Sequence, residues 1–257
     1  MPKIILETNK PVAYDSPDHL RPHGTAANNS TSLLYNKKLF AYLPAPSIAL
    51  LDVGCAGGGF VKSVQDAGGF AVGLEGSDYS QRNKRAEWAT IPDSLFTADV
   101  TEPFQFYREE SDSRAPLKFN VITAWEVFEH IAEDKLAAMF VNFEKHLAPG
   151  GIVMASIADW DDPEELHQTV HSRDWWIAEL AKFGFRDEPV IVDYFYEDWV
   201  RGPATGDASF HVALLRTGDP TPQLPKLQSL AGSARISNVV RRFQRRARNR
   251  IRRILGR

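Results

Sequence analysis

Apolar residues along the chain fall into short runs that alternate with longer amphipathic segments. The short runs, at 48–53, 70–74, 119–124 and 151–157, are rich in strand-forming residues. Segments with helical spacing of apolar residues separate them, at 60–68, 79–89 and 133–147. This alternation predicts a parallel sheet covered by helices on both faces. The fold class is therefore α/β, with a doubly wound, mostly parallel sheet.

Three further elements are predicted toward the end of this pattern. A helix is expected around 173–183, with Ser172 as its N-cap. Two strand-like runs follow at 189–195 (PVIVDYF) and 209–217 (SFHVALLRT). We expect these two runs to close the sheet with an antiparallel edge.

Length and composition indicate one large domain with appendages. A chain of 257 residues with 43% hydrophobic residues can bury a substantial core. The single cysteine, Cys55, excludes an internal disulfide framework, and the first residues lack the apolar run of a secretory signal. We therefore expect a reducing, cytoplasmic compartment. The sequence contains no uninterrupted apolar stretch of membrane-spanning length.

Charge is divided unevenly along the chain. Before Pro220 there are 19 basic and 33 acidic residues, whereas the rest of the chain carries 11 basic residues and no acid. The boundaries we predict are an N-terminal cap segment and first helix at 1–45, a main domain at 46–216, a proline-containing linker at 217–227 and a basic tail at 228–257. This asymmetry favours an electrostatic partner for the tail.

The first predicted strand ends in a glycine-rich loop, LLDVGCAGGGFV at 50–61. Glycines at this place let a ligand approach the backbone at a helix N-terminus, although they can also serve only to make a tight turn. The dinucleotide fingerprint G-x-G-x-x-G is not satisfied, because Lys62 stands where the third glycine belongs. The loop therefore favours an adenosine-type cofactor other than NAD.

Four motifs in order resemble those of class I S-adenosylmethionine-dependent methyltransferases. The glycine loop is similar to D-x-G-x-G-x-G, with Ala56 at the middle glycine. Glu75 ends the second strand, and Asp99 follows in FTADV; FNVITAWEVFEHI and LAPGGIVMASI look like the fourth strand and the turn before the fifth. The resemblance implies a Rossmann-like fold and S-adenosylmethionine as cofactor, with Glu75 on the ribose and Asp99 on the adenine. The implied cofactor-binding residues are Asp52, Gly54, Cys55, Ala56, Gly58, Glu75, Gly76, Asp99, Val100 and Trp125.

The motif WEVFEH at 125–130, after the predicted fourth strand, contains the candidate catalytic residues. If it is helical, Glu126, Glu129 and His130 lie at i, i+3 and i+4 and share one face. We expect His130 to act as general base, with Glu129 or Glu126 orienting it. The same spacing resembles the divalent-metal site of ubiquinone-pathway O-methyltransferases, and two carboxylates with an imidazole suit such an ion. We favour the metal-free interpretation, because acids in a first helical turn also complement the helix dipole.

Two polar segments supply candidate acceptor contacts. His167 and His171 follow the predicted fifth strand, where this class usually builds a substrate lid, although two such histidines also suit a solvated surface. Arg21 and His23 lie in an N-terminal segment that either caps the site or is a disordered leader. The sequence of that segment resembles methyltransferase domains among glycan-modifying enzymes. This resemblance implies a sugar hydroxyl as acceptor.

The basic tail has the pattern of an amphipathic helix. Nine arginines from Arg241 onward surround an apolar stripe at steps of three or four, which comprises Ile236, Val239, Val240, Phe243, Ala247, Ile251, Ile254 and Leu255. An anionic membrane surface uses both faces of such a helix, whereas nucleic acid needs only the arginines. We expect peripheral attachment to the inner, cytoplasmic face of a membrane. An RNA-modifying methyltransferase, a cofactor-binding scaffold without catalysis and a tail docked on the acidic body remain the alternatives.

Overall fold

The computed structural model describes residues 3–110, 113–160, 166–202 and 209–225. The chain divides into two compact units, Met1–Leu224 and Pro225–Arg257. Apart from Pro225, the second unit lies outside the described residues, and so does the predicted basic helix. Within the described residues, no helix is long and apolar enough to cross a membrane.

The main sheet has seven strands in the order β4-β3-β2-β7-β8-β10-β9, and a smaller sheet has the order β1-β5-β6. Strands β4, β3, β2, β7 and β8 run parallel, while β10 is antiparallel to both β8 and β9. The strands are β1 Lys3–Thr8, β2 Ala49–Val53, β3 Phe70–Glu75, β4 Leu95–Thr97, β5 Phe104–Glu110, β6 Ser113–Pro116, β7 Phe119–Trp125, β8 Leu147–Ala158, β9 Phe185–Asp187 and β10 Ser209–Arg216. The predicted parallel sheet is confirmed, and its antiparallel edge is formed by β10, from the predicted run 209–217, together with β9.

Helices cover both faces of this sheet. The helices of the described residues are α1 Pro17–Leu20, α2 His23–Ala27, α3 Leu33–Tyr42, α4 Gly59–Asp66, α5 Tyr79–Arg82, α6 Leu136–His146, α7 Arg173–Lys182 and α8 Pro189–Phe195. Of these, α3, α4 and α8 pack on one face of the sheet and α6 and α7 on the other. Ser172 caps α7 by accepting a hydrogen bond from the Trp175 backbone N–H, as its residue type predicted. The helix predicted at 79–89 is instead broken into α5 and a 3₁₀ turn, Ala86–Ala89.

Alternate residues of the strands enter two separate hydrophobic clusters. In β2, Leu51 packs in the cluster that contains α6 and α7, and Leu50 packs in the cluster that contains α3, α4 and α8. Successive side chains of a strand point to opposite faces, so each central strand contributes to both clusters. Burial on both faces explains why these strands read as nearly continuous apolar runs.

The run PVIVDYF, predicted as a strand, is helix α8. Pro189 occupies the first turn, where its missing N–H costs no hydrogen bond. Ile191 and Phe195 lie one helical turn apart and are fully buried, whereas Val190 is exposed. Strand-forming residue types misled the prediction, because a seven-residue apolar run has too few positions to separate the two periods.

The predicted linker at 217–227 begins later than its composition suggested. Arg186 donates a hydrogen bond to the Asp219 carbonyl at 2.9 Å, and the Thr221 hydroxyl donates to the Glu188 carboxylate. Leu224 packs against the cluster that contains α8. The body therefore extends to Leu224, because these contacts hold residues 219–224 against it. The prolines of this stretch prevent regular secondary structure but do not prevent packing.

Candidate active site

A cavity of about 280 Å³ opens at the carboxyl ends of the parallel strands β2, β3 and β7. In open α/β sheets this edge is where ligands bind. The loops after these strands and the N-terminal segment line it. Its lining includes, among the residues expected from the sequence, Gly54, Ala56, Glu75, Gly76, Asp99, Val100, Trp125, Glu126, His130 and His167.

The glycine loop passes through the left-handed backbone region at the three places where the resemblance expects glycine, positions 54, 56 and 58. Gly54 has a φ of 71°, and a Cβ there would lie 2.5 Å from Cγ2 of Val127. Ala56 has a φ of 47°, a conformation that L-residues other than glycine adopt at a cost. The close approach of Val127 therefore requires glycine at 54, whereas 56 tolerates the alanine.

The N-terminal segment covers the other glycines of the loop. The backbone N–H of Gly57 donates to the Asn28 carbonyl, and that of Gly59 donates to Oδ1 of Asn29 at 2.7 Å. A Cβ at either glycine would overlap the Asn29 side chain. The segment predicted as either cap or disordered leader is thus a cap, and its contact explains two of the glycines without any ligand.

Glu75 is buried at the end of β3, inside the cavity. Its Oε2 accepts a hydrogen bond from the Ala56 N–H at 2.7 Å, and its Oε1 accepts from the Ser77 N–H and the Thr25 hydroxyl, both at 3.2 Å. Burial raises the pKa of Glu75, and these hydrogen bonds limit the rise. A carboxylate offers about four acceptor positions, so both ribose hydroxyls fit only if one present donor withdraws.

Asp99 lines the cavity beyond β4. Its Oδ1 accepts from the backbone N–H and the hydroxyl of Thr101, and its Oδ2 lies 3.0 Å from Nζ of Lys10. Burial alone would raise the pKa of Asp99, but the hydrogen bonds from Thr101 and Lys10 lower it below its ordinary value. The carboxylate is therefore held as an anion at the end of the cavity assigned to adenine.

Three residues expected to contact the cofactor lie outside the cavity lining. Asp52 and Cys55 line a smaller pocket behind the glycine loop, and Asp52 accepts a hydrogen bond from the Thr123 hydroxyl at 2.7 Å. Burial raises the pKa of Asp52 to about 7 and that of the Cys55 thiol well above its usual value. Gly58, with a φ of 84°, is the N-cap of α4, where a Cβ would overlap Leu95. Their positions indicate roles in shaping the loop.

The motif after β7 is a 3₁₀ turn, Phe128–His130, so its acidic residues do not share the predicted helical face. Glu126 precedes the turn with a φ of 54°, and its backbone N–H donates to the Ser156 carbonyl and hydroxyl. Its carboxylate lies 2.8 Å from Nε of Arg201. The Glu126 carboxylate, which was expected to orient the imidazole of His130, is thus paired with Arg201 instead.

Glu129 is fully buried behind the cavity. Its Oε1 accepts from the Ala158 N–H at 2.9 Å, and its backbone carbonyl accepts from the N–H groups of Gln168 and Thr169. Burial raises the pKa of Glu129 to about 7, even though the neighbouring His130 acts to lower it. Glu129 thereby connects the 3₁₀ turn with the end of β8 and the chain that follows.

His130 faces the cavity beside a residue that the sequence analysis did not single out. Its Nδ1 lies 2.9 Å from Oδ2 of Asp18, and its ring packs edge-on against that of His167 at 4.8 Å between centroids. Burial acts to lower the pKa of His130, but the Asp18 carboxylate outweighs it, and the pKa is raised. Asp18, Thr25 and Arg201 are among the lining residues that sequence reasoning missed, because no motif marks them.

The histidine candidates divide between the site and the surface. Nδ1 of His167 lies 2.9 Å from the Trp160 carbonyl, so this nitrogen carries the proton and Nε2 is left as an acceptor. His171 instead pairs with Glu133 at 3.2 Å and stacks on Trp175, outside the cavity lining. Arg21 and His23 also lie outside the lining, although the adjacent Gly24 and Thr25 belong to it.

A divalent metal would find a different ligand set from the one expected. Glu129, His130 and His167 each offer a donor atom, all within 4.8 Å of one another, while Glu126 is paired with Arg201. Oε2 of Glu129 is buried and accepts no hydrogen bond from the described residues. One carboxylate and two imidazoles fit such an ion chemically.

Comparison with known proteins finds methyltransferases. A family model described as "Methyltransferase domain" matches residues 31–190. A ubiquinone biosynthesis O-methyltransferase from Cereibacter sphaeroides is 28% identical over 151 residues, which are 58% of this chain and 56% of that protein. The chain thus spans little more than half the length of this curated relative.

Solved structures share the fold at low sequence identity. The CcbJ methyltransferase from Streptomyces caelestis superposes with a TM-score of 0.51 at 12% identity, over 80% of this chain and 99% of that one. Magnesium protoporphyrin IX methyltransferase from Synechocystis PCC 6803, with bound SAH, gives a TM-score of 0.50 at 13% identity, over 79% and 96%. At this identity the likeness establishes the fold.

Proposed function

The chain belongs to the methyltransferase domain family, within the class I S-adenosylmethionine-dependent enzymes, and we propose that it methylates a hydroxyl oxygen of a small acceptor. One observation carries this proposal: His130 lines the same cavity as Glu75, Asp99 and the glycine loop. A base beside the cofactor pocket is what a hydroxyl acceptor requires, because its proton must leave as the oxygen is methylated.

The chain's own residues supply the cofactor pocket. Glu75 would bind the ribose, Asp99 the adenine side, and Gly54 with Ala56 would allow close approach along the loop. S-Adenosylmethionine, when bound there, supplies a methyl group on an electrophilic sulfonium. The protein then has to position the acceptor, exclude water and accept a proton.

His130 is the residue we assign to proton transfer. Its imidazole is mostly buried and reaches the cavity, and the Asp18 carboxylate beside it stabilises the positive charge that it gains. His167, edge-on to His130, would contact the acceptor through Nε2. A metal held by Glu129, His130 and His167 is the alternative that chelation tests.

The finer proposal concerns the acceptor class. The polar N-terminal segment supports a sugar hydroxyl in glycan biosynthesis, because Asp18, Gly24 and Thr25 line the cavity. The name of the curated relatives instead favours the aromatic hydroxyl of a ubiquinone precursor. We carry forward the sugar hydroxyl and treat the aromatic one as its competitor.

The experiment is a methyl-transfer assay with radiolabelled S-adenosylmethionine and three acceptor panels: sugars and sugar nucleotides, catechols and other phenols, and amines. We expect label in a hydroxyl panel, with the sugars methylated faster than the phenols. Preference for phenols would overturn the sugar assignment and leave O-methylation standing. Transfer to amines alone would overturn the hydroxyl proposal. RNA is assayed separately as an acceptor, and salt-sensitive labelling of it would favour the nucleic-acid alternative.

A further inference from the structure

We propose that Asp18 is a positioning residue that fixes the tautomer of His130 and so leaves its Nε2 free to accept the proton of the acceptor. This inference rests on the proposed O-methylation. It gives the N-terminal segment the role of orienting the His130 ring, which no residue of the glycine loop or of the motif after β7 performs. Asp18 and His130 are 112 positions apart in the sequence, and the fold brings them together.

The position of Asp18 is set by its own short helix. Ser16 caps α1 by accepting a hydrogen bond from the His19 N–H at 3.1 Å, and Pro17 restricts the first turn. Asp18 then lies with its Oδ2 2.9 Å from Nδ1 of His130, and both side chains line the cavity. A local cap thus aims a carboxylate at the ring from the side of the N-terminal segment.

The two acids expected to orient His130 are engaged elsewhere. Glu126 pairs with Arg201 at 2.8 Å, and Glu129 accepts from the Ala158 N–H. Among the residues that the structure describes, no group forms an aligned hydrogen bond with Nδ1 of His130. The contact with Asp18, at 2.9 Å, is therefore an ion pair, and the Asp18 carboxylate is the charged group beside Nδ1.

The chemical consequence follows from the donor and acceptor types. A carboxylate accepts hydrogen bonds, so the Asp18 side favours a proton on Nδ1. In the neutral ring Nε2 then carries a lone pair, and it can take the hydroxyl proton as the acceptor oxygen bonds to the methyl carbon. The bond from that carbon to the sulfonium sulfur breaks in the same step, so S-adenosylhomocysteine would leave as the neutral thioether. The resulting imidazolium is paired with the carboxylate until it releases its proton to solvent.

The first test observes the tautomer directly. The full chain with ¹⁵N-labelled histidines is studied by NMR at a pH where His130 is neutral, and His130→Gln assigns its signals. We expect the wild-type ring to carry its proton on Nδ1 and Asp18→Asn to shift the population toward Nε2–H. Asp18→Glu should keep the wild-type tautomer. An unchanged His130 tautomer in a folded Asp18→Asn protein overturns the inference.

The second test separates positioning from structure by kinetics. Asp18→Asn should lower kcat by about 10- to 100-fold, less than loss of His130 itself, with KM for the acceptor nearly unchanged. Asp18→Glu should restore part of kcat. Asp134→Asn removes an exposed carboxylate four positions from His130 and is the matched control, with activity near the wild-type level.

The outcomes distinguish this inference from the proposed function. Full activity of His130→Gln removes the base from the proposed function, while the NMR result still decides what Asp18 does. Loss of activity in Asp18→Asn with an unchanged tautomer, or a rise in KM alone, shows that Asp18 contacts the acceptor or seats the N-terminal segment, and it overturns the positioning role. If Asp18→Asn fails to fold, Asp18→Glu and Asp18→Ser are measured in the same way, with retention of the tautomer expected only for Glu.

Discussion

The hydroxyl of Thr25 donates a hydrogen bond of 3.2 Å to the carboxylate of Glu75, across fifty positions of sequence. Thr25 lies in α2 of the N-terminal segment, and Glu75 ends β3. The two residues join the cap to the strand that carries the expected ribose contact. Because the Ala56 and Ser77 N–H groups already bind the same carboxylate, the Thr25 hydroxyl and the ribose compete for it.

Removing the Thr25 hydroxyl should therefore strengthen cofactor binding. Thr25→Val keeps the size of the side chain and frees one acceptor position on Glu75. We expect the Kd for S-adenosylmethionine to fall by about 2- to 10-fold, the equivalent of one net hydrogen bond. Calorimetry measures this, with Thr90→Val as a control on the outside of the cavity. Weaker binding would show instead that Thr25 stays in place and contacts the cofactor.

Loss of the Glu75 charge should have the opposite effect. Glu75→Gln retains the shape of the side chain but replaces a charged acceptor, so cofactor binding should weaken by about 1.5 to 3 kcal/mol. The matched control is Glu109→Gln, an exposed carboxylate of β5 that pairs with Lys3. The assignment of Glu75 to the ribose fails if titration calorimetry gives the same affinity for Glu75→Gln and wild type.

Replacement of His130 should affect turnover far more than cofactor affinity. His130→Ala is expected to lower kcat by roughly two to four orders of magnitude, because proton removal contributes that much to such reactions. Full activity would move the base to another residue, with His167→Ala as the next variant. Activity lost on chelation and restored by magnesium would favour a metal held by Glu129, His130 and His167.

Buried His146 should make the fold sensitive to acid. Its ring stacks on Phe104, its Nδ1 donates to the Asn142 carbonyl at 2.8 Å, and its Nε2 accepts from the Phe106 N–H. Burial lowers the pKa of His146 to about 4. Between about pH 6.5 and pH 4 the imidazole is therefore protonated in the unfolded chain and neutral in the folded one. Stability from this group is complete above pH 6.5 and declines by about 3 kcal/mol as the pH falls to 4.

Denaturant unfolding at several pH values checks this expectation. The difference in unfolding free energy between wild type and His146→Gln should shrink as the pH falls from 7 to 4. His171→Gln, a half-exposed histidine, controls for the loss of one imidazole. A constant difference across this pH range would contradict the lowered pKa of His146.

The basic tail should attach the protein to anionic membranes. The described contacts of Asp219, Thr221 and Leu224 place the truncation site at Pro225 rather than near Thr217. We expect the full chain to float with anionic vesicles at low salt, because each basic residue near such a surface contributes about 1 kcal/mol. The chain ending at Pro225 should stay in solution and keep its cofactor affinity.

Two controls decide what the tail binds. Neutral vesicles should not carry the full chain, because the attraction then lacks its electrostatic part. If RNA competes away all vesicle binding, or if neither form of the protein floats with anionic vesicles, the membrane proposal is wrong. The proposed location at the inner face of a membrane depends on this result.

The sequence by itself determined the alternation of the central strands with helices, the cofactor loop and the residues at the strand ends. Glu75 and Asp99 were identified by their resemblance to the methyltransferase motifs, and they meet in one cavity because a parallel sheet brings the carboxyl ends of its strands to one edge. The alternation of apolar runs is local information, since burial on both faces acts on each strand separately. Short apolar runs are where this information fails, as α8 shows, because seven residues hold barely two helical turns.

Only the tertiary structure decided which distant groups complete the site. Asp18 and Thr25 come from a polar N-terminal segment, and Arg201 comes from the chain after α8, yet all three line the cavity. The hydrogen bond from Thr25 to Glu75 depends on how α2 packs against the end of β3. The spacing of residues in the sequence does not predict such a contact. The left-handed turn at Glu126 has the same origin, because a few contacts with β8 and Arg201 outweigh the local preference for a helix.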